Sequence, residues 1–157
     1  MPCVHTLEQT LAMQTFLPYH SVPQSAAILD RQRLGKQRVE GLQILKVLTG
    51  QTHAWQHHPA VLMWAGYERA LRQYVHIMCL EWMARGYQDS VWESVQRLTL
   101  PRGSRVNLPP YFTPSFSRSH QSNLVRKDPE HYRKYFPRVP DNLPYVWPVR
   151  SVRSKSR

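Results

Sequence analysis

The sequence of 157 residues is long enough for one domain with its own hydrophobic core. It carries 21 Lys and Arg against 10 Asp and Glu, a formal net charge of +11 that favours a polyanionic partner such as nucleic acid. A basic protein that is merely soluble is the alternative. The two cysteines, Cys3 and Cys79, are too few for a disulfide framework, so we expect a reducing, cytoplasmic location. Because no long apolar run is free of charge, no membrane span is expected.

The chain is predicted to have three parts. Residues 1–12 form a leader without the features of a secretion signal, and an ordinary extension that packs or frays is the alternative. Residues 13–149 form a helical nucleic-acid-binding domain, which opens at Met13 with a more regular pattern. Residues 150–157 are rich in Arg, Lys and Ser and are predicted to be a disordered basic tail.

The first helical pattern begins at Ser21, which can cap a helix whose first turn contains Pro23. Apolar residues then recur at helical spacing as far as Leu48, and Gly50 is a natural stop. Gly35 marks either a kink or a close approach, so two short helices are an alternative to one long one.

The longest periodic segment, Pro59–Arg85, predicts a buried central helix, and a shorter helix is predicted over Ser90–Leu98. Residues 101–114 are rich in proline and polar side chains, which is typical of an ordered irregular loop. A further helix is predicted over Ser119–Val125. The proline-rich remainder is expected to wrap the core with its aromatic side chains. The predicted fold is therefore all-α: a compact single domain with a long central helix and an irregular, basic, aromatic C-terminal segment.

The first stretch that suggests chemistry crowds four basic residues into about two helical turns: Arg31, Arg33, Lys36 and Arg38. Such a ridge can clamp phosphates, although a solvated helix face is the usual meaning of a charge run. Glu40 lies among these cations. It is either half of an i,i+4 pair or a carboxylate that stabilises a cation or moves a proton.

The second stretch, around Trp55, His57 and His58, lacks a nearby Cys, Asp or Glu at ligand spacing, so no metal site is predicted. Contact with bases or with the sugar-phosphate backbone suits these side chains better. The alternative, rated equally, is that His58 caps the following helix and Trp55 covers the edge of the core.

The third stretch interleaves basic and aromatic residues in the C-terminal part of the chain. Arg118, His120, Arg126 and Lys127 are predicted to contact nucleic acid there, since basic residues beside Tyr and Phe suit a backbone groove with stacking platforms. The alternative is that the aromatic residues anchor the segment on the core and leave its charges outside.

These stretches carry a resemblance to the pyrimidine-dimer DNA glycosylase/AP-lyase family of the phage endonuclease V type. The matching segments are LDRQRLGKQRVEGL, HHPAVLMWAGYERALRQYVHIMCLEWMARGY and SHQSNLVRKDPEHYRKYF. The chain is more similar still to bacterial proteins that begin near MQTFLPY and end near LPYVWP.

The resemblance implies a helical enzyme that binds bent DNA, exposes a damaged nucleotide and attacks C1′ of its sugar with the N-terminal α-amine. A Schiff base forms, the base leaves and β-elimination nicks the strand. The catalytic glutamate of the family falls on Glu40. The family's nucleophile falls near Met13-Gln14, after twelve further residues, so Lys36 is the alternative source of an amine.

The leading hypothesis is a monomeric DNA glycosylase or AP lyase without a cofactor, in which Glu40 and Lys36 are catalytic. Its binding residues are Arg31, Arg33, Arg38, Trp55, His57, His58, Arg118, His120, Arg126 and Lys127. A non-catalytic module of the same fold that binds DNA or RNA is the second hypothesis, and an enzyme that acts on modified nucleotides is the third. The leading hypothesis places Glu40 in a cleft lined by the His57–His58 loop and the Arg126–Lys127 segment.

Overall fold

The computed structural model describes residues 13–148, and within this range the chain forms seven helices and no strand. The predicted all-α class is therefore confirmed. The helices are α1 (Val22–Ile28), α2 (Arg31–Leu48), α3 (Pro59–Leu62), α4 (Glu68–Ala84), α5 (Val91–Gln96), α6 (Pro114–Lys127) and α7 (Pro129–Tyr132). The predicted leader and basic tail lie outside the described residues. None of the helices within 13–148 has the length and apolar character needed to cross a membrane.

The first predicted helix is two helices, and the break comes at Leu29 and Asp30 rather than at Gly35. Ser21 caps α1 as predicted, and the Asp30 side chain caps α2 by accepting a backbone N–H of its first turn at 3.4 Å. Gly35 lies inside α2, which is unbroken from Arg31 to Leu48. A Cβ atom at this position would lie 3.1 Å from the Trp82 ring, so the close approach is the correct interpretation.

The predicted continuous helix Pro59–Arg85 is wrong in one respect, because α3 ends after one turn and α4 begins at Glu68. Gly66 has a φ of +85°, in the left-handed region that glycine adopts without strain. Its carbonyl accepts the Arg105 N–H at 2.9 Å, and the Arg105 carbonyl accepts the Ala70 N–H at 3.1 Å. The irregular loop after α5 therefore satisfies backbone groups that a continuous helix would have paired internally.

Helices α2 and α4 pack against each other at the centre of the molecule, and α1 and α5 pack on them. Trp64, Leu71 and Tyr74 are fully buried, which confirms the predicted core position of this segment. The contact is close at Gly41, where an added Cβ atom would lie only 2.3 Å from Val75 Cγ2. A larger residue at position 41 would therefore push the two helices apart.

The C-terminal segment is fixed to α6, which begins at Pro114, earlier than predicted. The Leu143 N–H donates to Ser122 Oγ at 2.9 Å, and the Val146 N–H donates to Ser119 Oγ at 3.1 Å. As predicted, this proline-rich chain wraps the helical core rather than forming long helices.

Candidate active site

An extended segment, residues 13–17, lies buried against α2 and α6. It belongs to no helix, so its backbone N–H groups need partners elsewhere. From Gln14 to Leu17 in chain order, these groups donate to side chains: Glu40 Oε2 at 3.4 Å, Gln14 Oε1 at 3.0 Å, Gln37 Oε1 at 2.8 Å and His120 Nδ1 at 2.8 Å. Side chains of α2 and α6 thus hold the start of the domain in place.

Gln37 connects this segment to the core and to Glu40. Its Oε1 atom accepts the Phe16 N–H at 2.8 Å and lies 2.8 Å from the Tyr74 hydroxyl oxygen. Its Nε2 atom donates to Glu40 Oε2 at 3.3 Å. Because both ends of the amide have partners, its orientation is fixed, and with it the position of the Glu40 carboxyl group.

Glu40 is partly buried on α2, and its negative charge is stabilised by only a few weak interactions. Burial raises the pKa of Glu40 to about 7, while the Gln14 N–H and the Lys36 cation oppose this shift. Both hydrogen bonds to its Oε2 atom are longer than 3.2 Å, and no ion pair with Glu40 occurs among residues 13–148. At neutral pH the group is present as both acid and carboxylate, so it can accept and release a proton.

A small cavity of about 70 Å³ opens beside Glu40. Its walls combine three elements of the fold and are lined by Phe16, Gln32, Arg33, Lys36, Gln37, Glu40 and Lys127. The cavity therefore joins the predicted carboxylate and basic helix of α2 with one residue of the predicted C-terminal segment. Phe16 gives it an apolar wall, and three of its other members are cations.

A second, larger cavity of about 560 Å³ adjoins the small one and shares Gln32, Lys36 and Glu40 with it. It runs along the outer face of α2 past Arg31, Gly35 and Trp82. A volume of this size is ordinary for a site that takes a small organic ligand. Glu40 lies where the two cavities meet.

The prediction that Arg38 grips a phosphate conflicts with its surroundings. Arg38 is buried, forms an ion pair with Asp89, and its guanidinium lies 4.3 Å from the centre of the Trp82 ring. These contacts hold the guanidinium inside the protein. Arg38 therefore joins α2 to the start of α5 and exposes little surface that DNA could contact.

His120 is also a structural residue rather than a surface contact. It is fully buried, and burial lowers the pKa of its imidazole to about 3, so the ring is neutral. The neutral ring accepts the Leu17 N–H at Nδ1. A basic, polar neighbourhood in the sequence suggested an exposed side chain, but α6 turns this face toward the segment that contains Leu17.

The loop of Trp55, His57 and His58 lies apart from Glu40. It lines its own cavity with His53, and neither cavity beside Glu40 includes these residues, so the predicted shared cleft is wrong for this loop. His58 is buried and caps α3 through Nδ1, as the alternative interpretation held, whereas Trp55 and His57 are exposed. Within 13–148, no three His, Cys, Asp or Glu side chains cluster as metal ligands would.

The remaining predicted contacts, Arg31, Arg33, Arg118 and Arg126, are exposed or partly exposed. Arg33 forms an ion pair with Asp30 at 3.1 Å. Arg126 donates to the Asp141 carbonyl at 2.9 Å and is still exposed. Arg31 and Arg118 therefore keep exposed guanidinium groups, whereas those of Arg33 and Arg126 already have partners within the protein.

Sequence reasoning missed three residues that shape the site: Phe16, Gln37 and Trp82. Gln37 comes three residues before Glu40, which places the two on one helix face, and this was the only available signal. The others depend on contacts between distant parts of the chain.

The fold and the site define a helical protein that holds a carboxyl group of near-neutral pKa beside lysine amines in a basic cavity. The profile of the family described as pyrimidine dimer DNA glycosylase matches residues 13–92, about half of the chain, and the chain belongs to this family. DNA repair by a glycosylase is thus its class of function, and DNA its class of substrate. No curated protein and no solved structure matches the chain.

Proposed function

We propose that the protein is a DNA glycosylase and AP lyase that acts on damaged or modified bases through a Schiff base, with Glu40 at the centre of its site. The best support is the distance of 3.4 Å between the Gln14 backbone nitrogen and Glu40 Oε2. The resemblance assigns the nucleophile of the family to the start at Met13-Gln14 and its glutamate to Glu40. These positions, 26 residues apart in the chain, are neighbours in the fold.

The chemistry needs an amine and a group that moves protons. The amine attacks C1′ of the sugar, and the base leaves with the electrons of the glycosidic bond. The C1′–O4′ bond then breaks, O4′ takes up a proton as the ring opens, and a protonated imine remains. Because the pKa of Glu40 is raised to about 7 by burial, its carboxylate is a stronger base than an exposed glutamate. It is suited to remove the C2′ proton in the elimination that nicks the strand.

The two cavities suggest where the DNA lies. The larger one has room for a nucleotide displaced from the duplex, a displacement that costs a few kcal/mol and least at a damaged pair. Trp82 gives it an apolar wall, and Arg31 lies at its edge. Arg33, Arg118 and Arg126 would hold the flanking phosphates.

Whether the site contains a free amine distinguishes the proposed enzyme from the alternative, a non-catalytic binding module. In the whole chain the Gln14 nitrogen belongs to a peptide bond, and its lone pair is delocalised and not nucleophilic. A chain that begins at Gln14 would carry an α-amine at this place, with an ordinary pKa of about 7.7–8.0. Lys36, one turn before Glu40, is the predicted alternative. A non-catalytic module that binds DNA or RNA gains support from the same peptide nitrogen.

The test is borohydride trapping on duplex DNA that contains one abasic site, since borohydride reduces an imine to a stable covalent adduct. The whole chain is compared with a chain released from a fusion so that Gln14 is its first residue. A chain that begins at Met13 is the matched control, because its amine is displaced by one residue. We expect at least one of the three chains to give a covalent adduct with the abasic DNA. Binding of DNA or RNA without an adduct from any of the three chains would establish the binding module instead.

Glu40→Gln tests the carboxyl group. We expect the rate of strand cleavage to fall about 100- to 10,000-fold, the usual range for loss of a group that transfers a proton. The measurement is single-turnover nicking of the abasic duplex. Glu93→Gln, which changes an exposed carboxylate on α5, is the matched control and should cleave at the wild-type rate. Equal rates for the two variants would exclude Glu40 from the chemistry.

A further inference from the structure

We propose that Lys127 is the amine that forms the Schiff base in the whole chain, an assignment that rests on the proposed function. Lys127 lies beyond residues 13–92, the part of the chain that matches the family profile. Its place in the site is therefore a property of this structure rather than of the matched segment.

The position of Lys127 is the first argument. It is the last residue of α6, and it lines the same cavity of about 70 Å³ as Glu40 on α2. The cavity thus has an amine on one wall and a carboxyl group on another, contributed by different helices. A sugar carbon placed between them would meet a nucleophile and a base, which is the arrangement that a Schiff base followed by elimination requires.

The second argument is that Lys127 forms no ion pair within residues 13–148. Its neighbour Arg33, by contrast, is paired with Asp30. Arg126, which precedes Lys127 on α6, donates to the Asp141 carbonyl. The Lys127 residue is exposed, so a DNA strand can reach it.

The surroundings disfavour the protonated form of this amine. Burial of part of the side chain lowers the pKa of Lys127, and the nearby cations Arg33, Arg126 and Lys36 lower it further, while Glu40 opposes them. Since only the unprotonated amine attacks a carbon, this raises the reactive fraction of Lys127 at neutral pH.

Lys36 is the competing lysine, and it also lines the small cavity. Lys36 precedes Glu40 by four residues on one helix, so the two side chains are adjacent along the same face. Lys127 comes from another helix, so the amine and the carboxyl group that line this cavity are supplied by separate elements. Lys36 then acts on the amine through its charge, which disfavours protonation of Lys127.

The proposed step balances on an abasic site. The Lys127 Nζ lone pair attacks the C1′ aldehyde carbon of the ring-opened sugar, and the carbonyl oxygen leaves as water, which gives a protonated imine. Glu40 takes a proton from C2′, the electrons of that bond form the C2′=C3′ double bond, and the 3′ phosphate leaves with the electrons of the C3′–O bond. Water then hydrolyses the imine and returns the free amine.

The experiment uses borohydride trapping of the whole chain on abasic duplex DNA, with mass-spectrometric mapping of the reduced adduct. Lys127→Arg is the decisive variant, because it keeps the positive charge for phosphate binding and removes the amine nucleophile. Lys46→Arg is its matched control, because Lys46 is an exposed lysine of α2 that lines neither cavity. We expect the adduct on residue 127, no trapping by Lys127→Arg with DNA affinity retained within about threefold, and undiminished trapping by Lys46→Arg.

Each other result overturns the assignment. Undiminished trapping by Lys127→Arg, or an adduct mapped elsewhere, would exclude Lys127 and leave the proposed function intact. Trapping by a chain that begins at Gln14 but not by the whole chain would assign the amine to the terminus. Absence of trapping by the whole chain and by the Gln14 chain would remove the proposed function, and the role of Lys127 with it.

Discussion

Arg38 and Glu40 lie two residues apart on α2, but the charge of Arg38 is neutralised by an ion pair and that of Glu40 is not. Arg38 is paired with Asp89, which also accepts the N–H groups of Val91 at 3.3 Å and Trp92 at 3.0 Å. Although burial raises the pKa of Asp89, these hydrogen bonds hold it below its usual value. Burial of Glu40, with weaker partners, raises its pKa to about 7.

This contrast shows how to separate a structural charge from a functional one. The Arg38–Asp89 pair is neutralised and hydrogen-bonded, so it contributes to holding α2 and α5 together. Glu40 keeps a carboxyl group whose charge is costly in the folded state, a cost that a purely structural residue would have no reason to carry. The three predictions below test the contrast from its largest expected effect to its smallest.

Asp89→Ala should be the most destabilising of these changes. It leaves the buried Arg38 guanidinium without its counter-ion and removes an acceptor from the start of α5, so we expect a loss of about 3–5 kcal/mol in the free energy of unfolding. Glu93→Ala is the control, because the Glu93–Arg97 pair is exposed and should contribute less than about 1 kcal/mol. Urea denaturation measures both, and equal losses would refute the structural role of the buried pair.

The stability of the protein should depend on pH through Glu40. Its pKa is about 7 in the folded protein and near 4.3 when unfolded, so the folded state binds the proton more tightly. The contribution of Glu40 to stability is therefore greatest below about pH 4 and is lost as pH rises to 7, by at most about 4 kcal/mol. Glu40→Gln should lack this loss and exceed the wild type at pH 8. Parallel stability curves for the two proteins from pH 5 to 8 would contradict the raised pKa.

Salt dependence of DNA binding should distinguish Arg31 from Arg38. Arg31 is exposed beside the larger cavity, so Arg31→Ala should flatten the log–log salt dependence by about 0.9, the value for one phosphate. Arg126→Ala should do the same. Arg38→Gln, measured where it is still folded, should leave the slope unchanged because its guanidinium is buried. A flatter slope for Arg38→Gln would show that this residue contacts DNA after all.

Local sequence signals predicted most of the helices, since capping residues and apolar spacing act within one or two turns. The break between α3 and α4 was not predictable in this way. The Arg105 backbone, 39 residues beyond Gly66, supplies the hydrogen bonds that make it stable. A sequence pattern carries no information about a partner at such a distance.

The same limit applies to the site. Glu40 was identified because family resemblance and local charge agree on it. Arg38 looked like Arg31 and Arg33 until Asp89, 51 residues further on, was found beside it. His120 looked exposed because its neighbours in the sequence are polar, whereas its neighbours in space are Leu17 and the core.

The hydrogen bonds of residues 14–17 should slow the exchange of their amide hydrogens with solvent. Slow amide exchange normally marks a helix or a sheet, but here each amide hydrogen is held by a different side chain. The exchange rate at Gln14 would follow the protonation of Glu40, and the rate at Leu17 would follow the imidazole of His120. The amides of Gln14, Phe16 and Leu17 would therefore report, one by one, on the side chains that hold the start of the domain against its site.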